Sequence, residues 1–176
     1  QSGPCGRALQ VVTARSFAPV LAQLAPALAA DDDCVRLAVV VEDGRAAAGR
    51  VADSGADVWI PDDTAWGSIS SVELAEESDG GPGTVVALSP IYMVADDAVA
   101  GRLTDAGRSW RGLAELAVSE SGVVLRVRDP AGSGDGLIGV GSVGEAVWLD
   151  DGMDASAEAL ATALPATRTV LGQPVG

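Results

Sequence analysis

The sequence predicts an α/β protein: a parallel-type sheet with flanking helices, in three layers. Three observations predict it. Residues 8–14 (ALQVVTA) and 35–41 (VRLAVVV) are nearly continuous apolar runs of strand length. Runs that are apolar on both faces belong in parallel sheets covered by helices. Between and after them apolar residues recur at helical spacing. The resulting β-α-β-α-β order is the signature of a right-handed, helix-covered parallel sheet.

The elements follow in order. After the first strand, Ser16 is placed to cap a helix in which Phe17, Val20, Leu21, Leu24 and Leu28 share one face. Pro19 suits a first turn, whereas Pro26 is expected to kink or split that helix. Asp43-Gly44 makes a turn after the second strand, Ala46 to Val51 form a helix, and Gly55 stops it. Asp57 to Ile60 (DVWI) is a third strand. A short helix carrying Trp66 begins near Asp62 or Asp63.

The second half is looser. Residues 76–83 (EESDGGPG) read as a polar loop, and TVVALSPIYMVA as a long extended segment broken at Ser89-Pro90. That segment is either a strand crossing between two lobes, or a hairpin or bent strand within one sheet. Ser109 is placed to cap a helix from Trp110 to Ala117, and Val123 to Val127 is a strand. The glycine-rich turn DPAGSGDG leads into Leu137 to Leu149. Asp154 then caps a final helix, Ala155 to Leu164, which Pro165 ends. This divides the chain into a first lobe, 1–89, and a crossover strand with a partial second lobe, 90–176.

Composition narrows the chemistry. Hydrophobic residues make up 48% of the 176, but only 3% are aromatic, so the core is built from Ala, Val, Leu and Ile. The net charge is −14, with no Lys and no His. Nucleic-acid binding needs clustered positive charge to release counterions, so no nucleic acid is expected as a partner. No stretch is long enough to span a membrane, so direct insertion is not expected. Without His there is no Ser-His-Asp or Cys-His catalytic arrangement. Without Lys there is no Schiff base and no Walker-type phosphate lysine.

The two cysteines, Cys5 and Cys34, each directly precede a predicted strand. If those strands are parallel neighbours, both thiols lie at one edge of the sheet, which permits a disulfide. Two buried thiols are the other reading. A disulfide in an acidic, Lys-free chain points to an oxidising, extracellular or cell-surface setting.

In parallel sheets ligands bind beyond the carboxyl ends of the strands. That rule selects four loops: Thr13 to Ser16, Glu42 to Arg45, Pro61 to Asp63 and Asp129 to Gly136. Backbone N–H groups at such junctions can hold an anion, with Ser16, Gly44 and Ser133 as natural contacts. The plainer reading is that Ser16 caps its helix and the glycines make turns. Arg45 favours an anionic ligand; Glu42, Asp43, Asp62 and Asp129 oppose one. Gly132-x-Gly134-x-Gly136 is not a dinucleotide fingerprint and starts no βαβ unit. Asp31 to Asp33 and Asp62-Asp63 lack the spacing of a calcium loop. No cofactor and no metal site are expected.

Four segments together resemble a family. VVTARSFAPVLAQL, RVADSGADVWIPDDTAW, ALSPIYMVA and SWRGLAELAVSESGVVLRVRDPAGSGDG stand in the order found in type II periplasmic solute-binding proteins, closest in style to the molybdate-binding group. DVWIPDDTAW and DPAGSGDG are similar to a secreted actinobacterial subgroup whose solute-binding-like region precedes a von Willebrand factor type A domain. The resemblance implies two lobes around a cleft, with a second lobe left incomplete at Gly176. Carried over by position, it implies ligand contacts at Ser16, Gly44, Arg45, Asp62, Ser89 and Ser133.

The function expected is therefore a secreted, non-catalytic solute-binding-like module. It would capture a small polar or anionic ligand between two lobes, with a membrane transporter or surface protein as partner. A second reading is a cell-surface interaction domain that kept the fold without the ligand. A third, an enzyme working with Asp and Glu alone, finds no carboxylate pair at an informative spacing.

Overall fold

The structure is a computed structural model and describes residues 6–32, 34–72, 83–119 and 123–163, with 161–163 described as helix backbone. Among them the chain is mixed α/β, with one three-stranded parallel sheet and seven α-helices. It divides into two compact units. The first comprises Gln1–Ala87 with Gly132–Gly134; the second comprises Leu88–Ala131 with Asp135–Gly176.

In the first unit β1 (Leu9–Thr13) is central, flanked by β2 (Leu37–Val41) and β3 (Val58–Ile60). Both pairings are parallel: Val11 stands opposite Val39 on one side and Val58 on the other. The helices are α1 (Ala18–Asp31), α2 (Gly44–Arg50), continued by a 3-10 turn over Val51–Asp53, and α3 (Ala65–Ile69). Val11, Val12, Ala14, Leu21, Ala47, Ala48, Val51 and Trp66 are buried together with Thr13. At the amino-terminal edge Arg7 donates to both Asp57 carboxylate oxygens, and the Gln10 amide donates to Asp57 at 2.8 Å. The Asp57 amide returns a bond to the Gln10 carbonyl at 2.8 Å. This pins the starts of β1 and β3 together.

Several expectations for this unit need correction. Ser16 does not cap α1: the N-cap is Phe17, without a side-chain cap bond. The amides of Phe17 and Ala18 both donate to the Ala14 carbonyl, so a tight turn fills the position where Ser16 would cap. α1 runs through Pro26 without a break. Pro26 and Ala22, whose carbonyl loses its donor, are both exposed, so water can serve that carbonyl. The expected apolar face is only partly covered: Leu21 is buried, but Val20, Leu24 and Leu28 stay 40–45% exposed. The valines of β2 are exposed as well, because β2 is an edge strand of a narrow sheet.

The second unit is helical. It holds α4 (Asp97–Asp105), α5 (Trp110–Val118), α6 (Gly134–Asp151, of which Gly134 belongs to the first unit) and α7 (Met153–Ala163). Ser109 caps α5 as expected, accepting from the Gly112 amide at 3.0 Å. α4 has no counterpart among the expected elements; Asp96 caps it by accepting from the Val99 amide at 2.8 Å. Asp154 lies inside the first turn of α7 and does not cap it. Leu113, Ala114, Val143, Val147 and Ala159 form the core, with Leu103, Leu125, Ala155 and Leu160 packed against it. Neither 84–95 nor Val123 to Val127 enters a β-ladder. Val123 to Val127 still alternates inward and outward, with Val123 buried and Leu125 against the core. No helix among the described residues is long and apolar enough to cross a membrane.

Candidate functional site

Strand order positions the candidate site. The chain leaves β1 through α1 to reach β2, then returns through α2 past β1 to reach β3. Connections from the carboxyl ends of the neighbours β1 and β3 therefore depart in different directions. In open α/β sheets of 2-1-3 order that switch point is where ligands bind. The loops that surround it here are 14–17, 42–45 and 61–64. The segment Gly132–Gly134 joins them as part of the same unit.

Each loop is held by a specific contact. The Ala14 amide donates to the Ile60 carbonyl at 2.9 Å and the Glu42 amide to the Thr13 carbonyl at 2.9 Å, so the strand ends stay in register. Asp43 reaches across to the loop after β1, accepting from the Arg15 amide at 2.6 Å and from Arg15 Nε at 3.3 Å. Glu42 forms an ion pair with Arg50. Asp62 spends both carboxylate oxygens: Oδ1 accepts from Trp66 Nε1 at 2.8 Å, and Oδ2 accepts from the Gly134 amide at 2.9 Å. Asp63 Oδ1 accepts from the Ala65 amide at 2.8 Å and closes the turn into α3.

Two glycines are required here for different reasons. Gly44 is buried with φ +59°, a left-handed conformation that a side chain resists. Gly134 lies so close to the Pro61–Asp63 loop that a Cβ would sit 2.5 Å from Asp63 Cβ and 3.3 Å from the Asp62 carbonyl carbon. Ser133 beside it is 3% exposed.

Five of the six expected contacts therefore lie in the first unit: Ser16, Gly44, Arg45, Asp62 and Ser133. Asp62 and the 132–134 segment are in direct contact. Ser16 and Arg45 are exposed, and no described residue pairs with the Arg45 guanidinium. Ser89 belongs to the second unit and is exposed. Sequence reasoning missed Arg15 as the partner of Asp43 and Gly134 as the point of close approach. An arginine two residues past a strand was a usable signal for the first; only the strand order and the fold of 132–134 reveal the second.

The sequence set four carboxylates against an anion at this rim. Glu42 and Asp43 are each neutralised by an arginine, and Asp62 is occupied by two N–H donors. Asp129 falls outside the first unit. No group of three or more Asp, Glu or Cys among the described residues is arranged to hold a metal ion. Cys34 is not a free thiol, and its expected partner Cys5 lies outside the described residues. No protein-family model, no curated protein and no solved structure matches the chain.

Proposed function

We propose that this protein is a secreted or cell-surface solute-binding-like module. It captures a small polar or anionic ligand, without catalysis, at the carboxyl ends of β1 and β3. On this reading the three-stranded sheet is the first lobe of a type II periplasmic-binding-protein-like fold, and a transporter or surface protein receives the ligand. The observation that carries the proposal is the charge balance of the rim. Glu42 and Asp43 are paired with arginines and Asp62, though still charged, turns both oxygens to N–H donors, while Arg45 stays exposed with no described partner. A disulfide between Cys5 and Cys34 is part of the same proposal, and the bonded state of Cys34 supports it. The proposal predicts no free thiol when the unreduced protein is denatured; two titratable thiols would remove the disulfide from it.

The second reading, an interaction domain without a ligand, draws support from Asp62 and Ser133. Both read as ligand contacts in the sequence, yet one has each carboxylate oxygen engaged by an internal N–H donor and the other is buried. A thermal-shift screen separates the two readings. Molybdate, sulfate, phosphate and free amino acids are compared on the whole chain. A ligand at about a hundred times its Kd should add roughly 2.7 kcal/mol of stability. Arg45→Ala should remove most of that shift for an anion. A flat response to every class favours the interaction domain.

A further inference from the structure

α6 and α7 are separated by one residue, Gly152, whose φ of +88° turns the chain sharply. Beyond that corner the two helices approach closely. Ser156 Oγ donates to the Gly144 carbonyl at 2.7 Å, and a Cβ on Gly144 would sit 3.0 Å from Leu160 Cδ1. Beside this crossing lies a cavity of about 370 Å³, lined by Gly141, Gly144, Glu145, Trp148, Met153 and Ser156. Gly141, Gly144, Glu145 and Trp148 fall on one face of α6 by their spacing. Gly141 has no side chain, and that absence opens the notch: a Cβ there would meet nothing within 4 Å, whereas the same space at Gly144 is taken by Leu160 and Ser156.

The walls have a definite chemistry. Trp148 and Met153 are 52% and 72% exposed, large apolar groups left in water beside a hollow of ligand size. An indole face attracts cations through its quadrupole. Glu145 is the only charged lining residue, is exposed, and pairs with no described residue. Its surroundings do not compensate it. The chain has no Lys or Arg between Arg128 and Arg168, while Asp154 and Glu158 add exposed negative charge on α7. Arg111 is engaged by Glu115, Asp150 and Asp151. An acid would be repelled from this cavity, and a neutral molecule would gain only apolar burial.

We infer that this cavity binds a small organic cation, an ammonium group carried on an apolar body. The apolar body fills the space over Gly141 against Trp148 and Met153, and the ammonium group pairs with Glu145. This site lies within the second unit and does not depend on the anion site proposed above.

The test uses a matched pair of probes, phenethylammonium and the neutral 2-phenylethanol, titrated into the ¹⁵N-labelled whole chain. The indole N–H signals of the four tryptophans are followed; Trp59 and Trp66 serve as internal controls. The cation should bind about tenfold more tightly than the alcohol and move the Trp148 signal. Glu145→Gln should erase that preference. Gly141→Leu should abolish binding of both probes while melting at or above the parent temperature, because the site is open and Leu is the better helix former. Equal affinity for the two probes, a stationary Trp148 signal, or unchanged binding by Gly141→Leu would each overturn the assignment.

Discussion

The two units treat strand-like sequence differently. In the first, LQVVT, LAVVV and VWI each find a parallel partner, and the ladder fixes where their carboxyl ends emerge. In the second, Val123 to Val127 keeps the inside-outside alternation of a strand but enters no ladder, and its apolar side packs on helices. The difference teaches that period-two patterning reports which side chains are buried, not whether backbone groups pair. Pairing depends on a neighbour of matching register, which a local pattern does not contain. The units also differ in how they are held. The first relies on a ladder and on polar ties between loops, the second on helix packing and on a close crossing at Gly144.

The largest effect is expected where a single side chain anchors the first unit. Trp66 is 1% exposed and bonds Asp62, so Trp66→Ala should cost about 3–5 kcal/mol in a urea melt. It should also release the amides of α3 and the Pro61–Asp63 loop to hydrogen exchange. A loss under about 1 kcal/mol would mean that the loop is held by the strand ends alone.

Glycine substitutions along α6 sharpen the contrast within one helix. Gly134→Ala places a Cβ against the Asp63 side chain and the Asp62 backbone, and should cost about 1–3 kcal/mol. Gly141→Ala meets open space and should gain up to about 1 kcal/mol from helix propensity. Equal effects at the two positions would show that the close approach of Gly134 to the Pro61–Asp63 loop does not constrain it. At the low end stands Leu24→Ala in α1. Its helical position suggests a core residue, but it is 45% exposed, so the change should stay within about 0.5 kcal/mol.

Leu24 also marks how far the sequence could be read. The three strands, the helix expected over Ala46 to Val51 and found over Gly44–Arg50, and the Ser109 cap were legible, because each rests on a local pattern or a single capping side chain. The face of α1 was not. Its apolar stripe is present, but the width of the sheet beneath it decides how much is covered, and sheet width is a global property. α4 was missed because its nine residues, DAVAGRLTD, carry only two large apolar side chains, Val99 and Leu103, and none of the nine is buried; the Asp96 cap is its clearest signal. At the site, the loops were legible from the rule for parallel sheets. The roles within them were not, since Asp62 and Asp43 look like free carboxylates until their partners from distant loops arrive.

The smallest effect tests the polar ties. Hydrogen bonds from Arg7, then from the Gln10 amide, hold the Asp57 carboxyl below its ordinary value of 3.8. Because the folded value is depressed, the contribution of this clamp is fully present above the unfolded carboxylate range and is lost as the pH falls through the folded value. Asp57→Asn should therefore lower the urea midpoint at neutral pH, and the gap to the parent should close in acid, once the pH has fallen past that depressed value. The pair is solvent-exposed, so added salt should also narrow the gap at neutral pH. A gap that persists unchanged in acid would mean that charge is not what the substitution removes, and that an asparagine side chain disturbs the start of β3 by its shape. A gap that closes on both acid and salt would establish charge as what joins β1 to β3 at this edge, in contrast to the second unit, where packing holds the elements together.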